Sequence, residues 1–371
     1  MQTMNLTLPV GPFDWKENPL SEIDFEERVS ALRAVMVKMG WGGVIVFGEI
    51  HESGLLTYYS NYAPRLNAAL VLIPIKGALR VLTLVGGRMV PAGKLTTWIK
   101  DVRTASKFNE SLREWLEENS SSGPIATASF DLMQAKDYDT ISNITEINTA
   151  KDATPYLERL SRKKSPAEIL MMQANCTILS DVLDAVETQL DKGDSPASLA
   201  IIAEKTARNL GAQDARCLYS PDGGRNFLPF QRLSDDRSDP IILYIAIKMR
   251  GYWADGFMTF SGRPNETSQN TLMAMIAEVH AGSSVAKLTN IRDKNIKGFE
   301  IHPVLLNSIG SGVGVSLGEL PHLTTHSQDI LETGDVISLK VGIIDGAGRT
   351  EFSSAILDVQ NSSNRILWKS N

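Results

Sequence analysis

The chain has 371 residues, with 37 Lys and Arg against 43 Asp and Glu, for a formal charge of −6. Apolar residues make up 43% and charged residues 22%, ordinary globular values that exclude a disordered, collagenous or coiled-coil chain and leave apolar surface for a core in two domains or one large one. The mildly acidic balance argues against nucleic acid as a partner: phosphate binding needs concentrated Lys and Arg, and the longest basic run here is Arg162-Lys163-Lys164.

Phe25, Val29, Leu32, Val35 and Met36 recur at helical spacing between Ile23 and Lys38, and Gly40 supplies a stop, so a helix comes first. Short apolar runs at Gly43 to Phe47, Ala68 to Pro74 and Leu79 to Val85 read as buried strands. A helix over Asn109 to Glu117, a polar loop Ser120-Ser121-Ser122-Gly123 and a strand from Pro124 to Phe130 complete an α/β pattern. The charged stretch Thr154 to Ser165 reads as a linker. Beyond it, Ser165-Pro166-Ala167-Glu168 has the form of a capping box opening a long helix that Gly193 ends, and Ser195-Pro196 opens a second helix ending at Gly211. Strand patterns at Arg216 to Tyr219, Pro240 to Ile247, Gly251 to Phe260 and Val336 to Ile344, with a helix over Thr271 to Leu288, make the second half α+β.

The two cysteines, Cys176 and Cys217, cannot form a disulfide framework and read as buried thiols. Met1 to Leu6 lack a basic segment followed by an apolar one, and no apolar run approaches the length of a bilayer span, so the expectation is a soluble cytoplasmic protein without a membrane partner.

Several landmarks follow one another in order: Ser165-Pro166-Ala167-Glu168-Ile169, Gly251-Tyr252-Trp253-Ala254-Asp255, Gly310-Ser311-Gly312-Val313-Gly314, Glu319-Leu320-Pro321, Leu331 to Leu339, and Gly348-Arg349-Thr350-Glu351. With them the second half resembles the pita-bread family of methionine aminopeptidase, aminopeptidase P, prolidase and creatinase, and the first half resembles the extra N-terminal domain of the last three. The resemblance implies an α/β creatinase-type domain over residues 1–155, a pita-bread domain over 156–371, and a homodimer.

Peptidases of this family hold two divalent metals with two Asp eleven positions apart, a His in a Gly-His-Gly turn and two Glu on neighbouring strands. Matched position by position, Asp255 stands for the second Asp and Glu351 for the final Glu. Tyr244 takes the place of the first Asp, Ser311 that of the His, and Lys340 that of the other Glu. An ammonium between two carboxylates repels a dication, so the expected site has no metal and no cofactor. Phe230 stands where the family shows a His, and Gly318 where another precedes Glu319, so creatinase chemistry does not carry over either.

The catalytic candidates are therefore Lys340, Glu351, Asp255, Ser311 and Tyr244, with Lys340 stabilising charge and Glu351 or Asp255 acting as general base. Set against this is a buried ion-pair cluster left over from an active site. Trp253 and Phe257 alternate with Asp255 and are expected to wall the pocket, while Phe230, His322, Arg225 and Glu319 are candidates for binding substrate. The expected function is a metal-independent relative of the Xaa-Pro peptidases acting on a small polar or short-peptide-like molecule by hydrolase-type C–N bond chemistry. The alternatives are an inactive pseudopeptidase serving as a binding or scaffold protein, and a divergent metal-dependent aminopeptidase or prolidase.

Overall fold

A computed structural model describes residues 14–64, 67–87, 90–105, 107–119, 123–144, 147–190, 193–233, 238–260 and 266–370. Met1 to Leu6 and Ser120 to Ser122 lie outside them. The chain divides into two compact units, Met1–Ser161 and Arg162–Asn371.

The first unit begins with α1 (Glu22–Met39), opened by a Ser21–Asp24 capping box and closed by Gly40 in the left-handed conformation. β1 (Gly43–Gly48), α2 (Gly54–Ser60), β2 (Ala69–Pro74), β3 (Arg80–Thr83), α3 (Val90–Leu95), β4 (Asp101–Thr104), α4 (Phe108–Asn119), β5 (Ile125–Ala128), α5 (Ala135–Ser142), β6 (Ile147–Asp152) and α6 (Thr154–Arg162) follow. Six strands form one mixed sheet in the order β4-β3-β2-β1-β5-β6. β1, β2 and β3 pair antiparallel, whereas β1–β5, β3–β4 and β5–β6 are parallel. Leu112, Trp115 and Leu116 of α4 bury against Ile45, Leu70 and Leu72, which is why that helix repeats its apolar residues at three- and four-residue steps.

The stretch Thr154 to Ser165, expected to be a linker, holds the division between the two units but is helical over α6. Arg159 and Lys163 of that stretch are exposed, whereas Arg162 and Lys164, already within the second unit, are buried: Arg162 donates to both carboxylate oxygens of Asp335 at 2.8 and 2.7 Å, and Lys164 pairs with Glu319.

The second unit opens with α7 (Pro166–Leu190) and α8 (Pro196–Asn209). The expected capping box is present, with Ser165 N–H on Glu168 at 2.9 Å and Glu168 N–H on Ser165 Oγ at 3.3 Å. Contrary to the sequence expectation, α7 is long and apolar enough to cross a membrane by length and composition. Met172, Cys176, Leu179, Val182 and Val186 are nevertheless buried within the unit, as in a core helix.

β7 (Asp214–Tyr219), β8 (Leu228–Pro229), β9 (Ile241–Met249) and β10 (Tyr252–Phe260) make one antiparallel sheet, ordered β10-β9-β7-β8. α9 (Glu266–Ile276), α10 (Val285–Asn295), β11 (Glu300–Ile301), β12 (Ser308–Val313), β13 (Leu317–Thr324), β14 (Val336–Ile344), β15 (Thr350–Val359) and β16 (Asn364–Lys369) complete the chain. The second sheet runs β13-β12-β14-β15-β16, with β11 also on β14. The single helix expected over Thr271 to Leu288 is two, α9 and α10. Gly282, at φ +93°, turns the chain and donates to Leu331 O at 2.8 Å, and Ser284 caps α10 through Lys287 N–H.

β14 and β15 pair with Lys340 opposite Ser354 and Ile343 opposite Glu351. One face of the pair, carrying Leu339, Val341, Ile343, Ala355 and Leu357, packs in a single core with Leu272, Met275 and Leu288 of α9 and α10. Lys340, Gly342, Phe352 and Ser354 occupy the other face by alternation.

Candidate functional site

On β9 and β10, Tyr244 stands opposite Phe257 and Ala246 opposite Asp255, so Tyr244, Phe257 and Asp255 share a face. Lys340 reaches from β14 to Asp255, with Nζ 2.7 Å from Oδ2 and side-chain exposures of 11% and 3%. Tyr244 OH donates to the same Oδ2 at 2.8 Å. Burial above all, then the charge of Asp255 and this hydrogen bond, hold the Tyr244 phenol well above the ordinary tyrosine range, so it stays a neutral donor. Asp255 Oδ1 is buried and has no hydrogen-bond partner among the described residues.

Beside this network lies a cavity of about 390 Å³. Leu218, Phe227, Tyr244 and Phe257 line it together with Lys340 and Ser311. Phe257 stacks on Phe352 at 4.4 Å between ring centroids, and Phe227 meets both rings edge-on at 5.4 and 5.5 Å. Ser311 pairs in register with Ser338, two residues before Lys340, and so joins the Lys340 face. Its neighbour Gly310 runs at φ +134°, and a Cβ there would sit 1.9 Å from Ser338 O, so only glycine permits this close pairing of β12 with β14.

Glu351 does not join the group. It is opposite Ile343, on the helix face of the sheet, where its carboxylate accepts Ser268 N–H in the first turn of α9 at 3.2 Å. Burial raises its pKa above the ordinary carboxylate value, while the Ser268 N–H and Arg349 oppose the rise. The residue facing Lys340 across the ladder is Ser354, whose Oγ accepts Phe257 N–H at 2.8 Å. The expectation that Glu351 works beside Lys340 and Asp255 therefore fails on the parity of β15: side chains one residue apart point to opposite faces.

The other candidates divide. Trp253 is 2% exposed and packs under Arg216 and Lys248, whose cationic ends lie 4.5 and 5.4 Å from its ring, and it does not line the cavity. Phe230 is 42% exposed beyond β8, and Arg225 and His322 are exposed. None of the three lines the cavity. Glu319 is enclosed and paired with Lys164; burial raises its pKa and the Lys164 ammonium opposes the rise. Sequence reasoning missed Ser354, Phe227 and His302. His302, 1% exposed, puts Nε2 2.8 Å from Gly224 O and accepts Val304 N–H on Nδ1, pinning the turn that carries Val304 and Leu305 over the cavity. Burial lowers its pKa, against the pull of the Gly224 carbonyl. The signal for Ser354 lay in the β14–β15 turn: once Ile344 pairs with Thr350, the register makes Ser354 the partner of Lys340.

Comparison with known proteins agrees with this architecture. The model of metallopeptidase family M24 matches residues 170–358. The chain is 24% identical over 273 residues to the Xaa-Pro dipeptidase of Pyrococcus furiosus, covering 70% of this chain and 77% of that protein. It superposes on the prolidase from Pyrococcus horikoshii with a TM-score of 0.76, at 17% identity, over 93% of this chain and 99% of that one. The X-Pro aminopeptidase from Thermotoga maritima gives 0.75, at 16% identity, over 92% and 97%. The chain belongs to metallopeptidase family M24. Its C-terminal half has the pita-bread fold, preceded by the N-terminal domain seen in prolidase and aminopeptidase P.

The residues at the family's metal positions do not fit a divalent metal pair. Asp255 is the one carboxylate among them on the cavity face, and the Lys340 ammonium already occupies its Oδ2. A dication bound to that oxygen would stand within contact of a fixed positive charge, with a phenol and two serine hydroxyls in place of anionic donors.

Proposed function

We propose that this protein is a metal-independent member of family M24 that binds a small molecule in the cavity beside Lys340 and does not hydrolyse Xaa-Pro bonds. The Lys340–Asp255 ion pair carries the reading. It puts an ammonium where the family peptidases need an anionic ligand, and it engages the one carboxylate left on that face. General-base catalysis needs a group free to take a proton at hydrogen-bonding distance from the reacting atom. Asp255 is not among the cavity's lining residues and its Oδ2 already accepts from Lys340 and Tyr244, while Glu351 is on the far side of the sheet. This favours binding over the C–N bond chemistry expected from sequence. A cytoplasmic homodimer forms part of the proposal, on the family resemblance.

The test is metal analysis of the purified protein, before and after loading with Mn, Co or Zn, together with assays on Xaa-Pro dipeptides and light scattering for the dimer. The expected result is substoichiometric metal and no hydrolysis. Two metals per chain, with hydrolysis that Asp255→Asn abolishes, would overturn the reading.

A further inference from the structure

The cavity has an unusual balance of charge. Among the described residues lining it, Lys340 is the single ionisable group apart from the Tyr244 phenol, and the Lys340 ammonium is matched by Asp255 at 2.7 Å. The space therefore faces a charge already neutralised, beside apolar walls that include Leu218, Phe227, Phe257 and Leu305. An ammonium has three N–H donors. One is directed at Asp255, leaving donors for an acceptor in the cavity, and the Ser311 hydroxyl stands on the same face to give or receive a second hydrogen bond.

These facts discriminate between ligands by charge. A carboxylate entering the cavity loses its hydration and finds a cation whose charge is already spent, so its desolvation is poorly compensated. A cationic ligand meets the Lys340 ammonium before it can reach Asp255, and is repelled. An uncharged carbonyl compound loses little on desolvation, accepts from Lys340, and places a ring or branched body against the aromatic wall.

We infer that the ligand is an uncharged carbonyl compound, a carboxamide or ketone with an aromatic or branched apolar body, held by Lys340 at its oxygen. This rests on reading the cavity as a binding site and adds the chemical class of what fills it. The test uses three probes of one shape and different charge: benzamide, benzoate and benzamidinium, titrated by ligand-observed NMR. Wild-type protein is expected to bind benzamide at least about tenfold more tightly than either ion.

Removing one member of the pair should redirect the preference. Lys340→Met uncovers the carboxylate and should favour benzamidinium; Asp255→Asn uncovers the ammonium and should favour benzoate, each variant being checked for native circular dichroism. If one variant fails to fold, the other and the wild-type order still decide. Preference of the wild type for either ion, an order unchanged in a folded variant, or no binding of any probe would overturn the inference. Metal-stimulated Xaa-Pro hydrolysis, a separate readout, would instead overturn the function proposed above.

Discussion

Lys340 and Asp255 meet at 2.7 Å although they lie 85 positions apart in the chain and on strands of different sheets, and each is nearly enclosed. Removing one partner of a buried pair strands the other's charge, which costs about 3 to 5 kcal/mol, whereas removing both together leaves no stranded charge. Lys340→Met and Asp255→Asn are each expected to lower stability by that amount in urea unfolding. The double variant should cost less than either single change. Additive losses would show that the two groups do not act as a pair.

Glu351 has a different task from the one its place in the sequence implies. Its carboxylate accepts an N–H from the first turn of α9, as a capping side chain does, but from a neighbouring strand. Glu351→Ala should cost about 1 kcal/mol and speed hydrogen exchange in the first turn of α9. Benzamide affinity should stay unchanged. A loss of binding with α9 intact would return Glu351 to the site.

His302 makes stability depend on pH. Its pKa in the folded protein is depressed below 6.5 by burial, so the unfolded chain takes up a proton first as pH falls. The contribution is therefore fully present above pH 6.5 and lost as pH falls below it towards the folded pKa. Comparing urea midpoints of wild type and His302→Gln between pH 5 and 8 isolates this residue from the carboxylates. The wild type should lose stability relative to the variant on acidification, and parallel curves would contradict the assignment.

Gly310 tests the packing of β12 on β14. A methyl group there would overlap Ser338 O, a backbone atom that cannot swing aside, and the φ of +134° is strained for any other residue. Gly310→Ala is expected to cost more than about 4 kcal/mol or to abolish soluble expression. A variant with an unchanged urea midpoint would mean that the two strands are not so close.

Much of the site was legible before any coordinates. The exchange of three family ligands for Tyr244, Ser311 and Lys340 needed only counting along the chain, and the structure brings these three to the cavity lining, with Asp255 bonded to both Tyr244 and Lys340. Side chains taken from loops and from the edge strand β13 are not on the cavity. Phe230 was placed by matching a family His position and Arg225 and His322 by proximity in sequence to family motifs, and loop and edge-strand positions say little about which way a side chain turns. Glu319 was assigned to substrate, yet buried Lys164, read as part of a charged linker, is its partner.

By itself the sequence determined the family, the α+β order of elements and the lysine at a position where the family has a carboxylate, because motif order, periodicity and residue type are properties of the chain read locally. Only the tertiary structure decided which carboxylate meets that ammonium. The five residues between Ile344 and Thr350 set the register of β14 on β15, and strand side chains alternate every residue, so the pairing sends Glu351 to the helices and Ser354 to the site. That choice depends on hydrogen bonds between strands.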